Sequence, residues 1–311
     1  MPRPRNWLRS RAGLAAAVLV LGASGLGTAS ALVPHHRRAN APSSATATAP
    51  RVATAAPALR LEDGFSGPAG ASPNTGLPRT LWYTDTCWTS GCGSPPQPTR
   101  YAPSHAVLDG RGHLVITATE GATGRCGAIA CRFTSGRLTM LDWAAGGAAS
   151  WWQQYGTFSA RLKLPVGKDL YPSFWLVGTN LARAGWPAAG EIDVIDGVGA
   201  SAIGEQQAQF GTPDYVAPYA GTFVLPGHQS LAGWHTYAVS WSPRGISWSV
   251  DGHRTLFMSA ARAGSDWKVS FEHPFSIVFD LAVGSAMSPA EAAHVLPAKM
   301  LVDWVRVVGG A

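Results

Sequence analysis

The sequence predicts an all-β fold, and three observations carry that prediction. From Leu61 onward, short runs of alternating apolar and polar residues recur, separated by turn residues. Gly and Pro number 36 and 23 in 311 residues, and with Ser and Thr they supply the turns that many strands need. Charged residues are only 14%, too few for a helical bundle or coiled coil, while a hydrophobic content of 46% excludes a disordered chain.

Each element follows from its own pattern. His113 to Glu120 places Leu114, Ile116 and Ala118 on one face, and Gly156 to Leu164 places Phe158, Ala160, Leu162 and Leu164 opposite Thr157, Ser159, Arg161 and Lys163. His235 to Ser242 and Ile246 to Val250 alternate in the same way, with Asp251-Gly252 as a hairpin signal after them. Phe275 to Val283 and Met300 to Val308 are apolar on both faces and read as central strands. Only Ser288 to Val295 reads as helix, with Ser288 as cap, Pro289 in the first turn and Ala290-Glu291-Ala292-Ala293 behind it. One all-β domain of this length suits a sandwich or barrel.

The net charge of +6 is misleading until it is placed along the chain. Eight of the 24 basic residues and none of the 18 acidic ones precede residue 61, so the remainder carries a formal charge of −2 and no basic cluster for phosphates. Nucleic acid is therefore not the expected partner. Arg3, Arg5, Arg9 and Arg11 precede an apolar run from Ala12 to Leu26 that ends in Ala29-Ser30-Ala31, the order of a secretory signal peptide. The run is short of the ~20 apolar residues of a spanning helix. The expected organisation is a signal peptide over 1–31, an Ala, Pro, Thr and Ser linker over 32–60, and a folded domain over 61–311, secreted, extracellular, monomeric and without a membrane anchor after cleavage.

Four cysteines stand in two closely spaced pairs. In an exported chain they are expected to form two local disulfides, Cys87 with Cys92 and Cys126 with Cys131. Zinc is the rival, but neither a two-residue Cys spacing nor a nearby His pair supports it.

The chemistry is expected at Gly185-Trp186-Pro187-Ala188-Ala189-Gly190-Glu191-Ile192-Asp193-Val194-Ile195-Asp196-Gly197. In a strand Glu191 and Asp193 share a face, with Ile192 and Val194 on the other. Asp196 would point inward, and one β-bulge near Ile195 would return it to the acidic face. Three carboxyls in a row oppose one another's ionisation, which suits glycosidic bond cleavage by one ionised and one protonated carboxyl. A solvated strand face or a calcium site is the plainer alternative. Trp186, Tyr171 and Trp175 could line the same cleft with flat faces for sugar rings, whereas Trp241, Trp248 and Trp304 read as core. There is no Gly-x-Ser-x-Gly elbow, phosphate loop or His-Glu-x-x-His helix.

Taken together, these blocks resemble glycoside hydrolase family 16, the laminarinase-like endo-β-glucanases. The resemblance rests on Gln154 to Pro165, Pro172 to Leu176, Gly185 to Asp196, and the run from His235 through Asp251-Gly252 to Val302-Asp303-Trp304-Val305-Arg306-Val307. Phe133 to Leu138 and Asp109 to Ile116 are similar too. It implies a concanavalin A-like β-jelly-roll of two curved antiparallel sheets with the acidic strand on the concave side. Carried over by position, Glu191 is the nucleophile, Asp193 the assisting acid, and Asp196 the acid/base. The family has Glu at that last position. Two further departures are Gln209 in Ala208-Gln209-Phe210-Gly211 where a His is usual, and Asp280 where an Asn is usual, with the Trp that commonly follows absent from Ser285-Ala286-Met287. Each is expected to remove a substrate-facing group. The resemblance implies a secreted retaining endo-glycosidase acting on a β-glucan, laminarin-like first. The alternatives are a catalytically impaired carbohydrate-binding protein or a transglycosylase on the same fold. No cofactor is required, and a structural calcium at Asp303 is only weakly supported by one carboxylate.

Overall fold

The alternating runs become strands of two packed sheets in a computed structural model that describes residues 58–86, 97–143, 145–198 and 203–310. The segment assigned to a signal peptide, nearly all of the linker, and Cys87 with Cys92 lie outside the described residues. Among the described residues no helix is long and apolar enough to cross a membrane.

The larger sheet has ten strands. Its path runs His253–Ser259, Gly245–Val250, Trp234–Ser242, Gly156–Lys163, Ala298–Val308, Leu114–Glu120, Phe133–Ser135 and Thr99–Tyr101, with Leu59–Asp63 and Ala106–Leu108 paired beside it. The smaller has seven: Tyr215–Val224, Ile203–Thr212, Glu191–Asp196, Leu170–Gly178, Phe275–Val283, Arg137–Thr139 and Tyr83–Thr84. Pairing is antiparallel throughout except between Thr99–Tyr101 and Phe133–Ser135. Side chains of period two fill the space between the sheets: Phe158, Leu162, Trp241 and Trp248 from the first join Phe174, Leu176, Ile192 and Phe279 from the second in one core, each at most 1% exposed. At about 1.5–3 kcal/mol per large apolar side chain, this shared core holds the layers together. The fold is a β-jelly-roll sandwich, as the sequence implies.

Several elements differ from expectation for identifiable reasons. Leu59 and Arg60, assigned by composition to the linker, already belong to a strand, since Leu59 pairs with Val308 and Asp63 with Val305. Backbone pairing asks nothing of side-chain polarity there. Ala298–Val308 lies centrally between Gly156–Lys163 and Leu114–Glu120 but is not covered on both faces: Lys299 and Arg306 are exposed. A register shift opposite Arg161 and Leu162 resets its alternation, which hides the pattern from a period count. Trp304 accordingly leaves the core and lies partly exposed under Arg306, whose guanidinium sits 5.2 Å from its ring. Helices also form at Leu181–Ala184, Ala260–Ala263 and Asp266–Phe271, too short to show a 3.6-residue period. The helix at Pro289–Val295 has its expected cap: Ser288 Oγ accepts from Glu291 N at 3.2 Å, and Glu291 returns the bond to Ser288 N at 2.9 Å. Asp251 and Gly252 both take positive φ, 50° and 79°, as a tight two-residue hairpin requires. Cys126 and Cys131 form the expected disulfide, closing the small hairpin of Arg125–Cys126 and Ile129–Ala130.

Candidate active site

The acidic strand occupies the third position of the seven-stranded sheet, with its acidic side chains on the face away from the core. Glu191 lies opposite Val177 and Gln209, and Asp193 lies opposite Trp175 and Gln207. The register then shifts, so that Ile195 faces Phe174 and Asp196 faces Ser173, leaving Val194 without a counterpart. This is the expected bulge near Ile195, with Val194 as the extra residue. Val194 and Ile195 both enter the core at 0% exposure, and Asp196 returns to the side of Glu191 and Asp193.

A bulge breaks ladder hydrogen bonds, and buried carbonyls left behind would be costly. Two side chains catch them. Trp248 donates its indole N–H to the Asp193 carbonyl at 2.9 Å, and buried Gln206 donates its amide to the Val194 carbonyl at 3.0 Å. Gln206 is itself fixed by Thr255, whose hydroxyl donates to its Oε1 at 2.5 Å. The strand enters through Gly190, at φ 71°, where any side chain would collide with the Ser270 carbonyl.

The three carboxyls have different surroundings. Glu191 is half-buried and accepts two N–H donors, Trp186 Nε1 at 2.9 Å and Gln209 Nε2 at 2.7 Å, which suits a fixed, ionised nucleophile. Asp193 is 2% exposed, walled in between its neighbours. Asp196 is half-buried and accepts Ser173 Oγ at 3.1 Å and Gln207 Nε2 at 2.7 Å. Gln209, in the segment where a His is usual, makes its polar contact with Glu191. Trp186 holds the carboxylate of Glu191 with the edge of its indole.

Further along the same face, the expected gap at Asp280 is filled. Trp175 Nε1 donates to Asp280 Oδ1 at 2.8 Å, and Tyr101 hydroxyl and Arg137 Nη2 donate to Oδ2 at 2.8 and 3.1 Å. Arg137 reaches Asp85 at 3.4 Å and stacks over the Tyr101 ring at 4.3 Å. Burial opposes the Arg137 charge, but Asp280, Tyr101 and Asp85 outweigh it and raise its pKa, so the guanidinium stays charged. Burial pushes the Tyr101 hydroxyl well above its ordinary value, with Arg137 opposing and Asp280 adding. Asp280 thus anchors Trp175, which stands on the open face rather than in the core. Tyr171, on the same strand as Trp175, is 36% exposed; burial and then the charges of Asp169, Glu205 and Asp196 raise its pKa and keep it a neutral hydroxyl.

The sequence reading missed Gln206, Gln207, Trp248, Arg137 and Tyr101 as parts of the site. Gln206 had a signal: it alternates with Gln207 and so must point into the core, where an amide needs partners. On the outer sheet, Asp303 pairs with Arg161 Nη1 at 2.6 Å. No group of three or more His, Cys, Asp or Glu side chains that could hold a metal ion occurs among the described residues.

The fold is that of the jelly-roll glycoside hydrolases. The chain belongs to glycosyl hydrolases family 16, whose model matches residues 113–306. It is 30% identical over 222 residues to a beta-glucanase of Rhodothermus marinus, covering 64% of this chain and 68% of that one. It is 31% identical over 188 residues to glucan endo-1,3-beta-glucosidase A1 of Niallia circulans, covering 57% of this chain but only 26% of that larger protein. In structure it is similar to an endo-1,3-beta-glucanase from Streptomyces sioyaensis, with a TM-score of 0.65, 25% identity and coverage of 85% and 99%.

Proposed function

We propose that this protein is a secreted, monomeric retaining endo-glycosidase that cleaves internal bonds of a neutral β-1,3-linked glucan. The observation that carries the reading is the placement of the two outer acids on one face of the bulged strand. Glu191 is clamped by two N–H donors, while the bulge brings Asp196 to the same face at the acid/base position. Glu191 attacks the anomeric carbon as the glycosidic C–O bond breaks and Asp196 gives its proton to the departing oxygen. Water then adds to the anomeric carbon of the glycosyl ester, Asp196 takes the water proton, and Glu191 leaves as carboxylate. Trp175, Tyr171 and Trp186 offer flat faces to the chain of sugars. A neutral substrate is favoured because the face carries several carboxylates and Arg137 is already shared by Asp85 and Asp280. The names of the relatives favour a β-1,3-glucan.

A second reading, a glucan-binding protein with impaired turnover, draws on Asp196 itself. Its side chain is one methylene shorter than Glu, and both oxygens accept hydrogen bonds. Proton transfer needs the carboxyl within roughly 2.6–3.2 Å of the oxygen it protonates. The test is a reducing-end assay against laminarin, mixed-linkage glucan, xyloglucan, agarose and chitin with wild type, Glu191→Gln and Asp196→Glu. Laminarin cleavage that Glu191→Gln abolishes, and that Asp196→Glu alters, supports the enzyme. Binding without product in all three forms supports the binder.

A further inference from the structure

We propose that Trp143 is a sugar-stacking residue of the cleft, receiving the C–H face of a β-glucan unit beside Glu191. The inference rests on the glucan reading above and adds a subsite that neither the acid motif nor the flanking aromatics indicate.

Immediately after Arg137–Thr139 the chain makes a small separate ribbon, in which Leu141 pairs with Ala149 and Asp142 with Ala148. The ribbon folds back over the open face of the seven-stranded sheet. There Leu141 packs with Val177 and Val278, each 1% exposed although their strand positions face away from the core. Val177 is the residue opposite Glu191, and Val278 is opposite Trp175. The ribbon therefore walls the cleft at the nucleophile's end. Trp143 packs on this cluster beside Trp175, Ala149 and Leu181, yet it remains only partly buried.

Its position is fixed by the turn that carries it. The Asp142 carbonyl accepts Gly147 N at 2.7 Å, and the Asp142 carboxylate accepts Ala145 N at 3.0 Å. Gly146 and Gly147 take φ of 78° and 84°, conformations a residue with a Cβ rarely adopts. Leu181 of the short helix Leu181–Ala184 packs on the same cluster, so ribbon and helix share it. Trp241 and Trp248, whose indoles lie between the sheets, are 1% and 0% exposed. Trp143 instead keeps part of its surface at a wall shared with Trp175, close to the nucleophile. The negative face of an indole attracts the weakly positive C–H groups that an all-equatorial pyranose presents on each side of its ring. The ligand class is thus a neutral β-linked glucan.

The test uses the full chain carrying Glu191→Gln, with laminarin oligosaccharide binding followed by calorimetry. Trp143→Ala is expected to weaken binding about tenfold, as for other exposed indole anchors. Trp143→Leu restores apolar contact with Val177 without a flat face, and should bind as weakly while unfolding at the parent's temperature. Trp143→Phe should recover most of the affinity. Leu and Ala variants that bind like a glucan-binding parent overturn the role of Trp143 alone. A parent that binds no glucan overturns the substrate reading and the subsite with it.

Discussion

Gln206→Leu tests whether the bulge is maintained by the groups that catch its carbonyls. Leu keeps most of the volume but can neither donate to the Val194 carbonyl nor accept from Thr255. Thr255 is half-buried and can turn to water, whereas the Val194 carbonyl is buried and has no such recourse. An orphaned buried carbonyl costs about 1–3 kcal/mol. For a domain of this size that lowers the unfolding temperature by roughly 2–12 °C. The chemical consequence should exceed the thermal one. If the strand relieves the orphan by losing its bulge, every side chain beyond Val194 changes face and Asp196 turns inward. Turnover of laminarin should then fall by orders of magnitude with little change in binding. Differential scanning calorimetry and reducing-end kinetics on the same preparation read both effects. A Gln206→Leu protein that unfolds at the wild-type temperature and turns over normally would refute the argument that Gln206 holds the bulge.

Two predictions concern the scaffold. Ser288→Ala removes the oxygen that caps Pro289–Val295 and should cost about 1 kcal/mol, measurable by denaturant titration, while Ser288→Thr should cost little. Asp109 accepts the ring of His113 at 2.8 Å and the backbone N–H groups of Arg111 and His113. Burial pushes its pKa up, but these bonds outweigh it and bring it to about 2. A depressed carboxyl stabilises the fold fully above its unfolded pKa of about 3.9 and loses that contribution as pH falls through its folded value. Asp109→Asn should therefore be less stable than wild type at pH 7, and the gap should narrow as pH falls from about 4 toward 2; a gap constant across that range would show that Asp109 contributes only as a neutral hydrogen-bonding group.

What the sequence discloses and what it withholds divide along the range of the interactions involved. The strand at Gly156–Lys163 is legible because its alternation is local: eight residues suffice to place Phe158 and Leu162 inward. The acidic strand is legible to its third residue for the same reason, and the bulge can be inferred because Asp196 has the wrong parity without it. Which residue bulges, however, depends on donors far away in the chain. Gln206 is 12 residues from the carbonyl it satisfies and Trp248 is 55 residues from its own. Asp280 shows the same limit from the other side. As a lone substitution it looks like a missing amide, because nothing near it in sequence announces Tyr101, 179 residues away, or Arg137, 143 residues away. A carboxylate at that position is tolerable only beside a cation, and the cation comes from the neighbouring strand, where Arg137 stands directly opposite Asp280. Departures from a motif therefore carry little meaning one residue at a time: Asp280 and Arg137 form one feature, Gln209 and Glu191 another, and Asp196 has to be judged together with Ser173 and Gln207, which occupy its oxygens.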